Sequence, residues 1–350
     1  MPTPNAASRT GMSRESFRFQ FRALMDSAGL ALVLIGLVAF FGLTTDHFFT
    51  SATFRTIANQ IPDAVVIAVG MTFVLIIGGI DLSVGSVLAL GGAILGVSMA
   101  QWGWPLPAAL AACIGTGVVC GALNGLVVVG WNLPSFIVTL GMLEAARGGA
   151  YLIARSQTHY IGGALDGLAA PQFLGLSASF LLALAVVALG QIFLSGTAQG
   201  RHLFAIGANE ESARLSGIPT RRIKFAVFSV AGFLSALAAP MYCARLSAAN
   251  PNDAQGYELQ AIAAVVIGGT SLMGGRGSVV NSLLGVLIIK VLENGLYQIG
   301  AQLPTQRLVT GAVIVTAVII DVYRRRLGSA TGRKRGAAVA RSERIRGSSG

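Results

Sequence analysis

Charge is the scarcest property of this 350-residue chain. Only 11% of its residues are Asp, Glu, Lys or Arg, against about 25% in a soluble domain. Between Asp63 and Glu144 the single charged residue is Asp81, inside GGIDLSVGS at 78–86. So little charge cannot cover a globule with a water-compatible surface, which excludes an ordinary soluble fold. Cysteine is equally sparse. Cys113, Cys120 and Cys243 sit in apolar runs and make no disulfide framework. The three histidines, His47, His159 and His202, are scattered, and no H-E-x-x-H or Cys/His cluster offers a zinc site. No G-x-x-x-x-G-K-[ST] occurs; GGTSLMGG at 268–275 lacks the lysine. No G-x-S-x-G is present either. ATP hydrolysis by this chain, zinc chemistry and serine-hydrolase chemistry all lack support, so the chain reads as no enzyme and binds no cofactor of its own.

What is abundant is apolar. Hydrophobic residues make up 54% of the chain, and mean hydropathy is +0.71. Long apolar runs recur from end to end, each able to supply the roughly 20 residues a membrane-spanning helix needs. The reading is an all-α integral membrane protein of about ten transmembrane helices, near 28–43, 62–79, 84–100, 108–129, 134–154, 175–194, 224–245, 259–274, 278–298 and 304–322. The 45 glycines suit close helix approach in lipid. No A-x-A-type cleavage site follows the first apolar run, which reads as a retained first span.

Net charge is +11, but its distribution speaks for topology rather than nucleic acid. Eighteen of the 25 basic residues fall in 1–27, 195–224 and 321–350. Basic segments stay cytoplasmic. Ten spans with both termini cytoplasmic put all three segments on that side. The division is a cytoplasmic N-terminal segment at 1–27, a transmembrane domain at 28–323 with a cytoplasmic loop at about 200–223, and a disordered basic tail at 324–350 that is drawn to anionic lipid.

A repeat suggests two halves. NGLVVVGWNLP (124–134) and NGLYQIGAQLP (294–304) share six of eleven positions, including Asn124/Asn294 and Pro134/Pro304. The copies lie five spans apart and so face opposite ways, as in two halves of inverted topology.

A few polar residues lie at lipid depth. Asp81 follows Gly78 and Gly79, where the second span should weaken, and can cap the third by accepting from the amide of Ser83 or Val84; Ser83 could do the same. A charged pairing across a pore is the other reading. Irregular backbone at membrane depth must be surrounded by protein or water, so this break should face the bundle interior. Glu144 with Arg147, and Lys290 with Glu293, are spaced to pair on one helix face. Asn124 and Asn294 suit interhelical hydrogen bonds. Ser135, Thr139 and Gln260 are candidates to line a path. No aromatic-plus-polar cluster stands out as a ligand pocket.

On the basic side, Asn209 is an N-cap candidate with Glu210 and Glu211 in the first turn, and Gly217 and Pro219 form a natural stop. E-S-A-x-x-x-G at 211–217 resembles the E-A-A-x-x-x-G loop of ABC importer permeases, with Ser212 where alanine is usual. GGIDLSVGSVLALGG (78–92), NGLVVVGWNLPSFIVTLGML (124–143), IGANEESARLSGI (206–218) and AVVIGGTSLMGGRGSV (264–279) follow in that order. Together they resemble the ribose-type branch of ABC permeases over about 30–325. The related branched-chain amino acid permeases typically lack the Asp that stands here at 81.

The resemblance implies the transmembrane subunit of a monosaccharide importer in the bacterial inner membrane, multi-pass, without ATPase activity. Asn209, Glu210, Glu211, Ser212, Ala213 and Gly217 would form the coupling helix that docks on an ATPase subunit, which binds ATP and magnesium. A periplasmic sugar-binding protein would deliver solute, and a second copy of the chain would complete a homodimer. Asp81, Ser83, Asn124, Ser135, Thr139, Glu144 and Asn294 are the candidate path residues. An ABC permease for another small solute (a nucleoside, an autoinducer, a branched-chain amino acid) or an ion-coupled secondary transporter remains open at this point.

Overall fold

The computed structural model describes residues 11–316 and residue 319. The tail expected at 324–350 and the first ten residues lie outside the described residues. The helices are α1 (Gly11–Thr44), α2 (Ser51–Gln60), α3 (Pro62–Ile76), α4 (Val84–Ala100), α5 (Leu106–Gly130), α6 (Ser135–Ala154), α7 (Asp166–Ala169), α8 (Ala178–Gly196), α9 (Ala198–Ala208), α10 (Glu210–Leu215), α11 (Thr220–Leu246), α12 (Tyr257–Ile267) and α13 (Val279–Gln298). A further helix runs over 303–316. Four short strands, β1 (His159–Tyr160), β2 (Pro171–Phe173), β3 (Leu176–Ser177) and β4 (Ala248–Ala249), pair as β1 with β4 and β2 with β3.

Local chemistry sets many of the boundaries. Thr50, Ser177 and Ser278 cap α2, α8 and α13 by accepting the third amide on. Pro62 opens α3 at its first position, where its missing N–H costs nothing. α1 starts at Gly11, well before the apolar run at 28, because no proline interrupts 11–27.

Among the described residues six helices are long and apolar enough to cross a membrane: the Ser27–Thr44 part of α1, then α5, α6, α8, α11 and α13. A seventh counts if α2 and α3, bent by 48°, are one span. α4 and α12 are apolar but shorter. The expected span at 259–274 is thus an 11-residue helix. It rises only about 16 Å, half of a bilayer core. Lipid-facing surface is visible on the outer helices, where Leu32, Ile35, Leu189 and Ile192 are all more than half exposed. α3 is the opposite case: 14 of its 15 residues are buried. A helix apolar all round with no exposed face belongs at the bundle centre.

α5 and α11 make the tightest pair. A Cβ at Gly121 would lie 3.0 Å from the Gly232 Cα and the Ser229 Cα. Only glycine permits that approach, which brings two backbones into dispersion contact without any help from a hydrophobic effect in lipid.

The connections gather at two ends. At one, here the break end, lie 77–83, 131–134, 197–219 and 268–278. The Ile80 amide donates to Ser135 Oγ (2.9 Å), and the Gly275 amide donates to the Ile76 carbonyl (2.8 Å). At the other, the loop end, β1 pairs with β4, Asn59 bonds the backbone of Gly175 and Ser177, and Gln298 reaches Thr53.

The repeated motif is a helix stop in both copies. α5 ends at Gly130 and Asn132 turns left-handed (φ +53°); α13 ends at Gln298 and Gly300 does so (φ +80°). The turn falls two residues earlier in the second copy.

The segment 246–258, expected to be a plain outer connection, re-enters the bundle. Ala249 lies against Gly96 near the loop end of α4, while Ala254 and Glu258 lie against Gly85 at its other end. Those eleven positions of α4 span roughly 16 Å. Pro251 and Ala254 are buried. α12 therefore starts inside the bundle, which is why it is short.

Candidate solute path and coupling surface

The GGIDLSVGS break separates α3 from α4. Gly78 is left-handed (φ +75°), so the chain leaves α3 and extends before α4 begins. Asp81 and Ser83 are each 1% exposed, so the polar pair of the break faces protein. Asp81 Oδ1 accepts the Ser83 amide (2.8 Å) and the Ser83 hydroxyl (2.6 Å). Ser83 is the residue flanking α4, and neither side chain bonds an amide inside the helix. The carboxylate therefore braces the entry to α4 as an Asx turn instead of capping its first turn.

The remaining backbone of the break is satisfied from α6. Ser135 Oγ accepts the Ile80 amide, Thr139 Oγ1 accepts the Leu82 amide (3.0 Å), and the Thr139 hydroxyl donates to the Ile80 carbonyl (3.2 Å). Ser135 and Thr139 are one helical turn apart and share a face. Their polar atoms serve the break, as buried irregular backbone requires. Asn124 Nδ2 donates across to Ser83 Oγ (3.0 Å), while its Oδ1 is buried with no partner among the described residues.

Two expected pairings need correction. Glu144 and Arg147 do not pair. Arg147 Nη1 donates to the carbonyls of Pro251 (2.7 Å) and Asp253 (2.8 Å), because the re-entrant turn brings backbone oxygens that no ladder satisfies. Glu144, the tenth of the 20 residues of α6, is left exposed with no ion pair among the described residues. Among the described residues Asn294 bonds no other helix. Its Oδ1 accepts from Gln298 Nε2 one turn on (3.0 Å), and it is Gln298 that reaches Thr53 on α2. Lys290 and Glu293 do pair, at 2.8 Å. Gln260 lines a narrow cleft with Tyr257 and Lys290.

The structure also joins residues that no local motif connects. Tyr151 Oη donates to Asn252 Oδ1 (2.7 Å), and Gln255 Nε2 donates to the same oxygen (3.2 Å). At the loop end buried Asp63 accepts from Arg245 (3.3 Å) and the Tyr257 hydroxyl (3.0 Å). Beside them lies an open cavity of about 590 Å³ lined by Arg55, Asn59, Gln60, Asp63 and Arg245. The sequence signal was slight: Asp63 stands alone at the head of an apolar run, and Arg147 has only Glu144 nearby to suggest a partner.

The loop at 197–219 folds as its residues dictate. Asn209 accepts the Ser212 amide (2.9 Å), with Glu210 and Glu211 in the first turn of α10. Gly217 is left-handed (φ +84°). Its amide donates to the Arg214 carbonyl and that of Ile218 to the Ala213 carbonyl. This is a complete Schellman stop. Glu211 pairs with Arg214 (2.6 Å) and Glu210 with Lys224 (2.5 Å). The hydrogen bond from Arg214 holds the Glu211 carboxyl below its ordinary range. Ala213 is buried and the rest of α10 is exposed, Leu215 at 75%.

α9, which leads directly into α10, is tied to the end of α3 and to the second break through backbone. Gly207, near the end of α9, lies against the Ile76 carbonyl and the Gly275 amide; Gly274 lies against Gly207 and Gly78. Side chains at these positions would drive the three segments apart.

Residues 53–318 match the family described as "Branched-chain amino acid transport system / permease component". The chain is 38% identical over 317 residues to the ribose import permease protein of Haemophilus influenzae, covering 89% of this chain and 98% of the relative. It is 37% identical over 321 residues to that of Bacillus subtilis (89% and 97%), and 31% identical over 311 residues to the fructose import permease protein of Rhizobium meliloti (86% and 86%). No solved structure matches. With its membrane-length helices, its full-length match to sugar import permeases and a family match covering most of its length, the chain belongs to the family of ABC transporter permeases that serve sugar import.

Proposed function

We propose that the chain is the transmembrane subunit of a binding-protein-dependent ABC importer, carrying a monosaccharide of the ribose, xylose or fructose kind across the bacterial inner membrane. The observation that carries the reading is the exposed α10, capped at both ends and directly following α9, whose Gly207 lies against the end of α3 at Ile76 and against Gly274 and Gly275, with Gly274 in turn against Gly78. An ATPase subunit that binds ATP and magnesium docks on Asn209–Gly217, and its closure moves the break that holds Asp81. The break end is then cytoplasmic, with ten spans in two inverted halves and both termini on that side. A periplasmic sugar-binding protein meets the loop end.

Glu144 supports a second copy. A carboxylate at a helix centre costs about 3 kcal/mol against lipid, yet Glu144 is exposed on α6 in line with Ile137, Leu140 and Gly141. This face turns to a water-filled path shared with the second permease of a homodimer. Asp81, Ser83, Asn124, Ser135 and Thr139 shape the path from behind, and Asn294 steadies the corresponding end of α13.

The test is D-ribose, D-xylose and D-fructose uptake into proteoliposomes holding the chain, its ATPase subunit and its binding protein. Uptake that requires both partners and ATP is expected. Transport that persists without any ATPase subunit would overturn the reading in favour of an ion-coupled carrier.

A further inference from the structure

The re-entrant turn at 250–256 does more than fill space. It lies beside the face of α6 on which exposed Glu144 and half-buried Arg147 and Tyr151 recur at helical spacing. Asn252 and Gln255 are exposed and Tyr151 is half-buried. Their polar atoms converge on Asn252 Oδ1. This group cannot lie against hydrocarbon, where each unsatisfied polar atom costs several kcal/mol. It sits just inside the loop end: Asn252 donates to Asn250 Oδ1 and Asn250 to Thr158 beside β1, and from there the turn continues along α4 until Ala254 reaches Gly85.

We infer that Tyr151, Asn252 and Gln255, with Glu144 beneath them, form a solute-binding site on the wall of the path, and that it takes a neutral polyhydroxylated molecule. This rests on the permease reading and names its substrate contacts. The chemistry fits hydroxyl groups. A phenol, two primary amides and a carboxylate offer donors and acceptors side by side, as a ring of hydroxyls demands. An anionic solute is disfavoured. The guanidinium of Arg147 is committed to the Pro251 and Asp253 carbonyls, and Glu144 would repel a second negative charge. Arg147 is a positioning residue: it holds the turn in the bundle so that Asn252 and Gln255 face the path. The site is half of a pair, closed by the second copy across the homodimer axis.

The native thiols make a direct test possible, since Cys113, Cys120 and Cys243 are all buried. Asn252→Cys and Gln255→Cys are made in the assembled transporter in proteoliposomes and exposed to a charged, water-soluble methanethiosulfonate. Leu189→Cys, on the lipid-facing side of α8, is the control. Modification at 252 and 255 but not 189 is expected, with D-ribose uptake falling at least tenfold on modification and millimolar D-ribose slowing the reaction. Unreactive thiols at 252 and 255, or full uptake after modification, would overturn the site. Tyr151→Phe and Gln255→Ala should raise KM for D-ribose at least fivefold with ATPase assembly unchanged; an unchanged KM in both would also overturn it. Failure of the unmodified wild-type transporter to move any of the three sugars would instead sink the sugar-permease reading, whatever the labelling shows.

Discussion

The two helix breaks solve one problem in different ways. Between α3 and α4 the chain is stitched by side chains: Asp81 and Ser83 from within, Ser135 and Thr139 from α6. Between α12 and α13 it closes largely on its own backbone. The Ser271 amide donates to the Arg276 carbonyl, the Gly274 amide to that of Ser271, and Gly269, Gly274 and Gly275 are left-handed. The first break buries Asp81 and Ser83 and exposes only Gly78; the second buries Thr270 and Ser271 but leaves Met273 81% exposed. A stitched break depends on particular polar groups and is tuned by them. A glycine turn depends only on having no side chain. The first suits a wall that must respond to solute and partner, the second a rigid clasp.

That contrast can be broken experimentally. The largest effect is expected at the clasp. Gly207→Val would push a branched side chain into the Ile76 carbonyl and the Gly275 amide, part the two breaks and reduce uptake below detection, with a lower yield of the ATPase complex on co-purification. Next comes the carboxylate. Asp81→Ala and Asp81→Asn should each lower uptake at least tenfold while membrane insertion, read by immunoblot, stays intact; full uptake by both would remove Asp81 from the account. Thr139→Val should be milder. It leaves the half-buried Leu82 amide without an acceptor, a loss of about 1 kcal/mol, seen as a lower Tm of the purified protein. Smallest of all is Arg276→Ala. Its carbonyl, not its exposed side chain, closes the second break, so Tm should not move measurably. Equal losses at Thr139 and Arg276 would erase the distinction between the two breaks.

Much of this was legible from residue order. GGIDLS announces a break by placing glycines and a lone carboxylate in an apolar run, and the structure puts α3 and α4 on either side of it. The stop of α10 follows from Asn209 and Gly217 alone, because capping is local. What escaped were contacts between residues a hundred positions apart. Arg147 looked paired with Glu144 because only helical neighbours are visible in sequence, whereas its partners arrive from 251 and 253. The re-entry at 250–256 was hidden for the same reason, and with it the short length of α12. The exposure of Glu144 depends on which face of α6 the turn covers, which no periodicity reveals.

On the proposed function, α10 transmits the ATPase cycle to the breaks. This is tested most directly by Gly217→Asp in proteoliposomes with ATPase subunit and binding protein present, measuring D-ribose uptake beside ATP hydrolysis. Gly217 is exposed and left-handed, so the substitution undoes the stop of α10 and leaves the bundle alone. The account predicts an unchanged Tm with uptake reduced at least tenfold and no longer driven by ATP. Uptake at the wild-type rate, with hydrolysis still coupled to it, would contradict it.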